Sequence, residues 1–329
     1  MSRYAREERF VGLPVVELPA LPNPKGTRAD NAAARQAKPL PAAADAAWRL
    51  RIDSYPRTER FAEHVARFLD TVDTAQVSAL LVGMWEPGED SKEAVRLLAG
   101  AAERLPGLRH LFFGDITSEE NEISWILQCD LTPLFDAFPQ LETLIVKGGQ
   151  EAVLHPVRHG NLRHLEFRTG GLPGNVVRAL SASTFPALET LDLWLGVEDY
   201  GGTATVRDLE GILRGTGLPA LTRLGLMNSE IQDEIAAAVA AAPIVSRLAE
   251  LDLSMGTLGN EGAEALLTGQ PLGHLRTLDL SHHFMSEAMR KRVEAAFAET
   301  GVTLVADGEQ EPDEDEDDDE FWRYVEVSE

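Results

Sequence analysis

The chain has 329 residues, is 44% hydrophobic and carries a formal net charge of −24 at pH 7. DNA, RNA and anionic membrane surfaces are excluded as partners, because binding them requires Lys and Arg side chains that neutralise phosphate groups. The single cysteine, Cys129, excludes an internal disulfide framework. It follows the apolar run "ISWIL" and is predicted to be a buried thiol. No secretory h-region or bilayer-length apolar run is visible, so we expect a cytoplasmic protein.

The first part of the chain, 1–74, is predicted to form an N-terminal cap. The stretch 13–18, "LPVVEL", reads as an additional edge strand, and 19–47 is a Pro- and Ala-rich loop with little to bury. The alternating segment "WRLRID" (48–53) indicates a strand, and 57–72 reads as a helix. A chain built from stacked units needs such a cap to cover its terminal hydrophobic face.

A six-residue pattern, L-x-x-L-x-L, recurs through the middle of the chain. Close copies begin at Leu108, Leu141, Leu162, Leu188, Leu221, Leu248 and Leu275, and a looser copy begins at Val77. Successive copies are separated by 31, 33, 21, 26, 33, 27 and 27 residues. The alternation within each copy predicts a strand whose paired leucines enter a core, while the residue between them faces the other side.

Amphipathic stretches between these strands predict helices. They span 91–105, 205–215, 229–242, 260–267 and 286–300. Residues suited to helix N-caps begin several of them: Ser91, Ser229, Asn260 and Ser286. An irregular insert with one longer helix is expected at 115–139, and a last strand at 302–306. Strands alternating with helices at a nearly constant period predict stacked coils with one parallel sheet.

The stretch "LAELDLSMGTLGNEGAEALL" (248–267) resembles the ribonuclease-inhibitor-type subclass of leucine-rich repeat proteins. Its matching residues are Leu248, Leu251, Leu253, Leu258, Gly259, Glu261, Gly262 and Ala263. The family's asparagine position is Gly256 here, so the chain is similar to a degenerate member, and its opening "FVGLPVVEL" and closing "RYVEVSE" resemble bacterial cytoplasmic proteins of this kind. The resemblance implies an α/β horseshoe over 75–306, a leucine-rich repeat solenoid with a parallel β-sheet on the concave face and helices on the convex face.

The final segment, 307–329, contains 13 acidic residues and 1 arginine. A block of like charges is commonly a disordered interaction tail. The aromatic residues Phe321, Trp322 and Tyr324 follow this block. Two interpretations stay open: the segment folds back and caps the sheet edge, or an acidic tether offers it to a partner as a short linear motif.

The residues between and beside the strand leucines define the candidate protein-binding surface. From the fourth to the eighth copy they are Glu166, Arg168, Asp192, Trp194, Arg223, Met227, Glu250, Asp252 and Asp279. Trp194 with Met227 and two arginines has the composition of an interface hot spot, unless a loop or the tail covers it. Glu166 beside Asp192, and Asp252 beside Asp279, are expected to lie ~4.8 Å apart, so that one acid of each pair holds its proton more tightly.

Three functions follow from these residues. The favoured one is a non-enzymatic scaffold whose concave face binds a protein with a basic patch, monomeric on its own and without a cofactor. The second is an accessory subunit recruited through the tail. The third, a metal- or carboxylate-dependent enzyme, is disfavoured because an open sheet offers no enclosed pocket, and the acids can simply be solvated. His155, His159 and His164 lack metal-ligand spacing, and no phosphate-loop or hydrolase motif is present.

Overall fold

A single twelve-stranded sheet organises the chain, and its strand order equals the chain order. The computed structural model describes residues 6–19, 21–22, 39–53, 58–314 and 321–329. The first two strands pair antiparallel and every later neighbour pairs in parallel, without closure into a barrel. The strands are β1 Arg9–Phe10, β2 Leu13–Glu17, β3 Ala47–Leu50, β4 Ala79–Val82, β5 His110–Phe113, β6 Thr143–Lys147, β7 His164–Arg168, β8 Thr190–Gly196, β9 Arg223–Ser229, β10 Glu250–Asp252, β11 Thr277–Asp279 and β12 Thr303–Val305.

The strand register confirms the alignment of the sequence repeats. The residue between the paired leucines of each copy lies opposite its counterpart in the next copy, from Leu81 and Phe112 to Asp252 and Asp279. The leucines themselves, such as Leu111 and Leu251, enter the main core. One period of the sequence therefore adds one strand to the sheet and one layer to the core.

Helices follow most strands and pack on the same core. They are α1 Phe61–Thr71, α2 Lys92–Gly100, α3 Thr132–Ala137, α4 Gly174–Ala182, α5 Glu210–Arg214, α6 Gln232–Val239, α7 Asn260–Thr268 and α8 Glu287–Phe297. Of the expected caps, Ser286 accepts a hydrogen bond from the Met289 amide, whereas Ser229 ends strand β9 and Ser91 makes no cap bond. Each side chain that does not cap has another partner. Ser91 donates to the sulfur of Cys129, and the Ser229 hydroxyl accepts from the Ile231 amide.

Several local predictions require correction. The insert at 115–139 holds only a short 3-10 turn, Ile123–Trp125, and the six-residue α3 instead of one longer helix. The segment 13–18 is not the edge of the sheet, because β1 pairs outside β2. Cys129 is half-buried instead of buried, although burial still raises the pKa of its thiol.

Parts of three predicted regions lie outside the described residues. They are positions 20 and 23–38 of the Pro- and Ala-rich loop, position 57 of the helix predicted at 57–72, and 315–320 of the acidic block. On either side of the last gap, strand β13 (Asp313–Glu314) pairs antiparallel with β14 (Phe321–Trp322). Among the helices that the structure describes, none has the length and apolar character required to cross a bilayer.

Candidate protein-binding face

The sheet has two different faces. The leucines of one face pack with the helices, and the residues between those leucines lie on the other, which we call the row face. Its N-terminal half is apolar: Ala79, Leu81, Phe112 and Ile145 form a second core cluster with Phe10 of strand β1. The chain's own N-terminal strand therefore occupies this half, which leaves strands β7–β11 to present polar side chains.

All of the predicted site residues on the row face lie on these five adjacent strands. The registers of β7–β11 align Glu166, Asp192, Gly225, Asp252 and Asp279 in one row across the sheet. With strands ~4.8 Å apart, the row is roughly 19 Å wide. The structure thus brings the predicted residues together as one surface, of the breadth of a modest protein contact.

Arg223 connects three carboxylates across this surface. Its Nε lies 3.2 Å from Asp192 Oδ2, its Nη1 lies 3.1 Å from Glu250 Oε2, and its Nη2 lies 3.0 Å from Asp252 Oδ2. The residue opposite Asp192 is Gly225, and a Cβ there would overlap the Asp192 carboxylate. The missing side chain therefore gives the carboxylate its space beneath the arginine.

The interpretation of these acids as solvated is wrong for three of them. Glu166, Asp192 and Asp252 are only 8%, 6% and 7% exposed. Burial raises the pKa of Asp192, which Arg223 only partly offsets, and one of its oxygens has no hydrogen-bond partner among the described atoms. Burial and the nearby Asp252 also raise the pKa of Asp279, in line with the expected repulsion between neighbouring acids.

A second ion pair lies at the other end of the row. Arg168 donates from Nε to Glu166 Oε1 at 2.7 Å and from Nη2 to Oε2 at 3.1 Å, a bidentate arrangement. The Arg168 guanidinium also lies 5.4 Å from the ring centre of Phe112. Burial acts to raise the pKa of Glu166, but the hydrogen bonds from His164 and Arg168 overcome it and lower the pKa to about 2.

The low pKa of Glu166 predicts an acid-sensitive contribution to stability. Because the folded value of about 2 lies below the ordinary 4.5, the stabilisation is complete above pH 4.5 and is lost as the pH falls toward 2, about 3 kcal/mol in all. The difference in unfolding free energy between wild type and Glu166→Gln should therefore shrink between pH 7 and pH 3, measured by urea titration. A difference that stays constant over this range would contradict the ion pair.

The sequence "LDLS" occurs at the ends of β10 and β11 and orients their acids. Ser254 donates its hydroxyl to Asp252 Oδ1 at 2.6 Å, and Ser281 does the same to Asp279 at 2.7 Å. In each case the serine amide donates to the same oxygen. These bonds leave the second oxygen of Asp252 to face Arg223, so the two acids are held in fixed orientations.

Trp194 is half-buried on this surface. Its neighbour on strand β9, Met227, is only 6% exposed. Met227 is therefore buried and is not the contact residue that the sequence predicted. The Trp194 indole Nε1 has no hydrogen-bond partner among the described atoms. A buried indole N–H without an acceptor is unfavourable, so this group adds nothing to the stability of the fold.

The described aromatic side chains of the tail are those of Trp322 and Tyr324. Trp322 is 48% exposed and Tyr324 is 36% exposed, with the Tyr324 ring packed edge-on against Phe284 at 5.3 Å. Phe321 belongs to β14, and its side chain is outside the described part of the chain. The described tail folds back onto the domain, as the first of the two interpretations expects, but it lies across the carboxyl ends of β9–β11 instead of capping the edge of the sheet. Trp125, at 56%, is more exposed than either tail residue and was missed by sequence analysis.

Within the described residues, no group of His, Cys, Asp or Glu side chains is arranged to hold a metal ion. The fold and the row face define an α/β protein with one mostly parallel, repeat-like sheet. A solved structure from Bacteroides fragilis, a structural-genomics target, is similar to this chain, with 28% identity, a TM-score of 0.68, and coverage of 80% of this chain and 72% of that one. No protein-family model and no curated protein matches.

Proposed function

We propose that the chain is a non-enzymatic, monomeric, cytoplasmic scaffold of the leucine-rich repeat kind, and that its row face is the concave, protein-binding side of a horseshoe. The periodic strands and the similarity over most of a bacterial structure support this fold. The observation that carries the binding role is the continuous surface on β7–β11, which combines the ion pairs of Arg168 and Arg223 with the half-buried ring of Trp194.

The charge of this surface favours a basic partner. It contains five carboxylates but only two guanidinium groups, those of Arg168 and Arg223. The ion pairs already made within the surface are rigid, so a partner meets charges that need no reorganisation. A basic partner patch would associate faster at low salt, and added salt would slow association.

Replacing Trp194 with alanine tests the binding role. We expect at least tenfold weaker retention of the bound protein in affinity capture, followed by calorimetry with the purified partner, because central aromatic residues dominate interface energies. Trp125→Ala is the matched control, since that tryptophan is more exposed but lies outside the row face. Equal effects of the two substitutions, with folding verified by circular dichroism, would contradict the proposal.

The exposure of Trp322 favours a second candidate, an accessory subunit recruited through its tail. Trp322 is 48% exposed, and tryptophan is enriched among the residues that dominate interface energies. Trp322→Ala should then remove the captured protein while Trp194→Ala leaves it bound. The reverse result would assign binding to the row face.

A further inference from the structure

Three residues at the carboxyl ends of β9–β11 share an unusual conformation. Asn228, Met255 and His282 have φ angles of 56°, 68° and 55° and are spaced by 27 residues each, one per repeat. Residues other than glycine seldom adopt positive φ, and each such residue costs free energy. The three residues form one line across the sheet, which we call the tail groove because the segment 323–329 lies along it.

Each of the three residues holds the backbone of that segment. The Asn228 side chain accepts from the Val327 amide at 2.9 Å and donates to the Val327 carbonyl at 2.6 Å. The Met255 carbonyl accepts from the Glu326 amide at 2.8 Å. His282 Nε2 lies 3.1 Å from the carbonyl of Tyr324, to which it donates. These bonds recognise any extended chain, because they use groups that every residue except proline possesses.

Side chains at alternate positions of the segment enter the domain. Val325 is 6% exposed and Val327 is 5% exposed. Arg323 donates to Asp233 Oδ2 at 2.8 Å and to the Thr257 carbonyl at 3.1 Å. Three further carboxylates line the same pocket: Glu230, Glu234 and Glu261. The groove therefore selects a cation followed by aliphatic residues two and four positions later.

We propose that the tail groove is a peptide-binding site and that residues 323–329 are its tethered occupant. The ligand is an extended segment of a partner protein with an Arg-x-Val-x-Val pattern, which displaces the tail. Other proteins bind extended peptides in the same way, with hydrogen bonds to the peptide backbone and pockets for alternate side chains. The groove lies at the strand ends, so this site is separate from the row face and does not depend on the function proposed there.

A labelled peptide with the sequence of residues 321–329 tests the site on the full-length chain. Arg323→Glu with Val327→Ser should release the tail and vacate the groove. We expect the peptide to bind this released variant with at least tenfold higher apparent affinity than the wild type, because a tethered tail competes at an effective concentration of about 1 mM, about tenfold above a peptide Kd of about 0.1 mM. Fluorescence anisotropy measures both affinities.

Control peptides and one further substitution distinguish a specific site from general adhesion. A peptide of the same composition in scrambled order, and one carrying glutamate at the position of Arg323, should both bind at least tenfold more weakly. Adding Asn228→Ala to the released variant should abolish binding of the original peptide.

Three results would overturn the proposal. The first is the absence of saturable peptide binding to a released variant whose circular dichroism and melting temperature match the wild type. The second is a scrambled peptide that binds the released variant as tightly as the original peptide. The third is an original peptide that binds the wild type as tightly as the released variant. Light scattering gives a fourth, since a wild-type dimer that the release substitutions dissolve would assign the groove to a second copy of the chain instead of a partner. None of these results depends on Trp194, so failure here leaves the row-face test intact.

Discussion

Replacing Arg223 with methionine is expected to lower the free energy of unfolding by about 3 kcal/mol. The arginine faces three acids, Asp192, Glu250 and Asp252, two of which are buried. Removing one partner of a buried ionic group leaves the other charges without compensation, which costs more than the net value of the pair. The expected loss lies at the low end of the range for buried pairs, because the Arg223 side chain is 30% exposed.

The pH dependence of this loss identifies its cause. Burial already raises the pKa of Asp192, and without Arg223 the folded pKa should rise further above the unfolded value. When the pKa of Asp192 is raised in the folded variant, the protonated carboxyl stabilises the fold below the unfolded pKa. This stabilisation is lost as the pH rises through the folded pKa. The deficit of Arg223→Met should therefore be larger at pH 7 than at pH 4, measured by urea denaturation.

Arg276→Met is the matched control for Arg223→Met. Arg276 contacts Glu250 as well, but it is 71% exposed. An exposed ion pair contributes little, so a loss below about 1 kcal/mol is expected. If the two substitutions cost the same, the three-acid arrangement around Arg223 is not a buried network.

Replacing Gly196 with alanine is expected to cost at least 3 kcal/mol or to prevent folding. Gly196 ends β8 with φ at 72°, and a Cβ there would overlap the backbone of Gly170 and Gly171. Both the left-handed conformation and the collision with main-chain atoms act against alanine. Thermal and urea unfolding measure the loss, and the yield of soluble protein reports a failure to fold.

Gly201→Ala separates the two causes. Gly201 has φ at 88°, but no atom lies within 4 Å of the position that a Cβ would take. Only the conformational cost of about 1–2 kcal/mol applies there. A loss for Gly196→Ala no greater than that for Gly201→Ala would show that the backbone beside Gly196 moves freely.

The repeat pattern predicted the sheet well because each strand pairs with the strand of the next sequence copy. Each L-x-L segment has the same periodicity and the same spacing to its partner, so aligning the sequence copies aligned Glu166 with Asp192 and Asp252 with Asp279. Helix α4 was not predicted, and it begins at Gly174 directly after Pro173, two residue types that commonly mark turns. Proline before the first helical turn is nevertheless compatible with a helix.

The polar contacts could not be read from the sequence. Arg223 contacts acids on both neighbouring strands, β8 and β10. Which acids it contacts depends on which side chains are buried and on the space that Gly225 leaves. The docked tail pairs Asn228 with Val327, 99 residues away, without any repeated pattern to indicate it. A weak signal was present: Asn228 and His282 occupy the same position of their repeats, where the other copies carry small or apolar residues except for Asp115.

The identity of strand order and chain order has a consequence for synthesis on the ribosome. Because each parallel strand pairs with the strand made just before it, a growing chain can add one layer at a time, and none of these strands waits for a distant partner. The segment that crosses Asn228, Met255 and His282 emerges after all of these strands. Until then the turns at the ends of β9–β11 stand open on the nascent chain, within reach of any other extended segment.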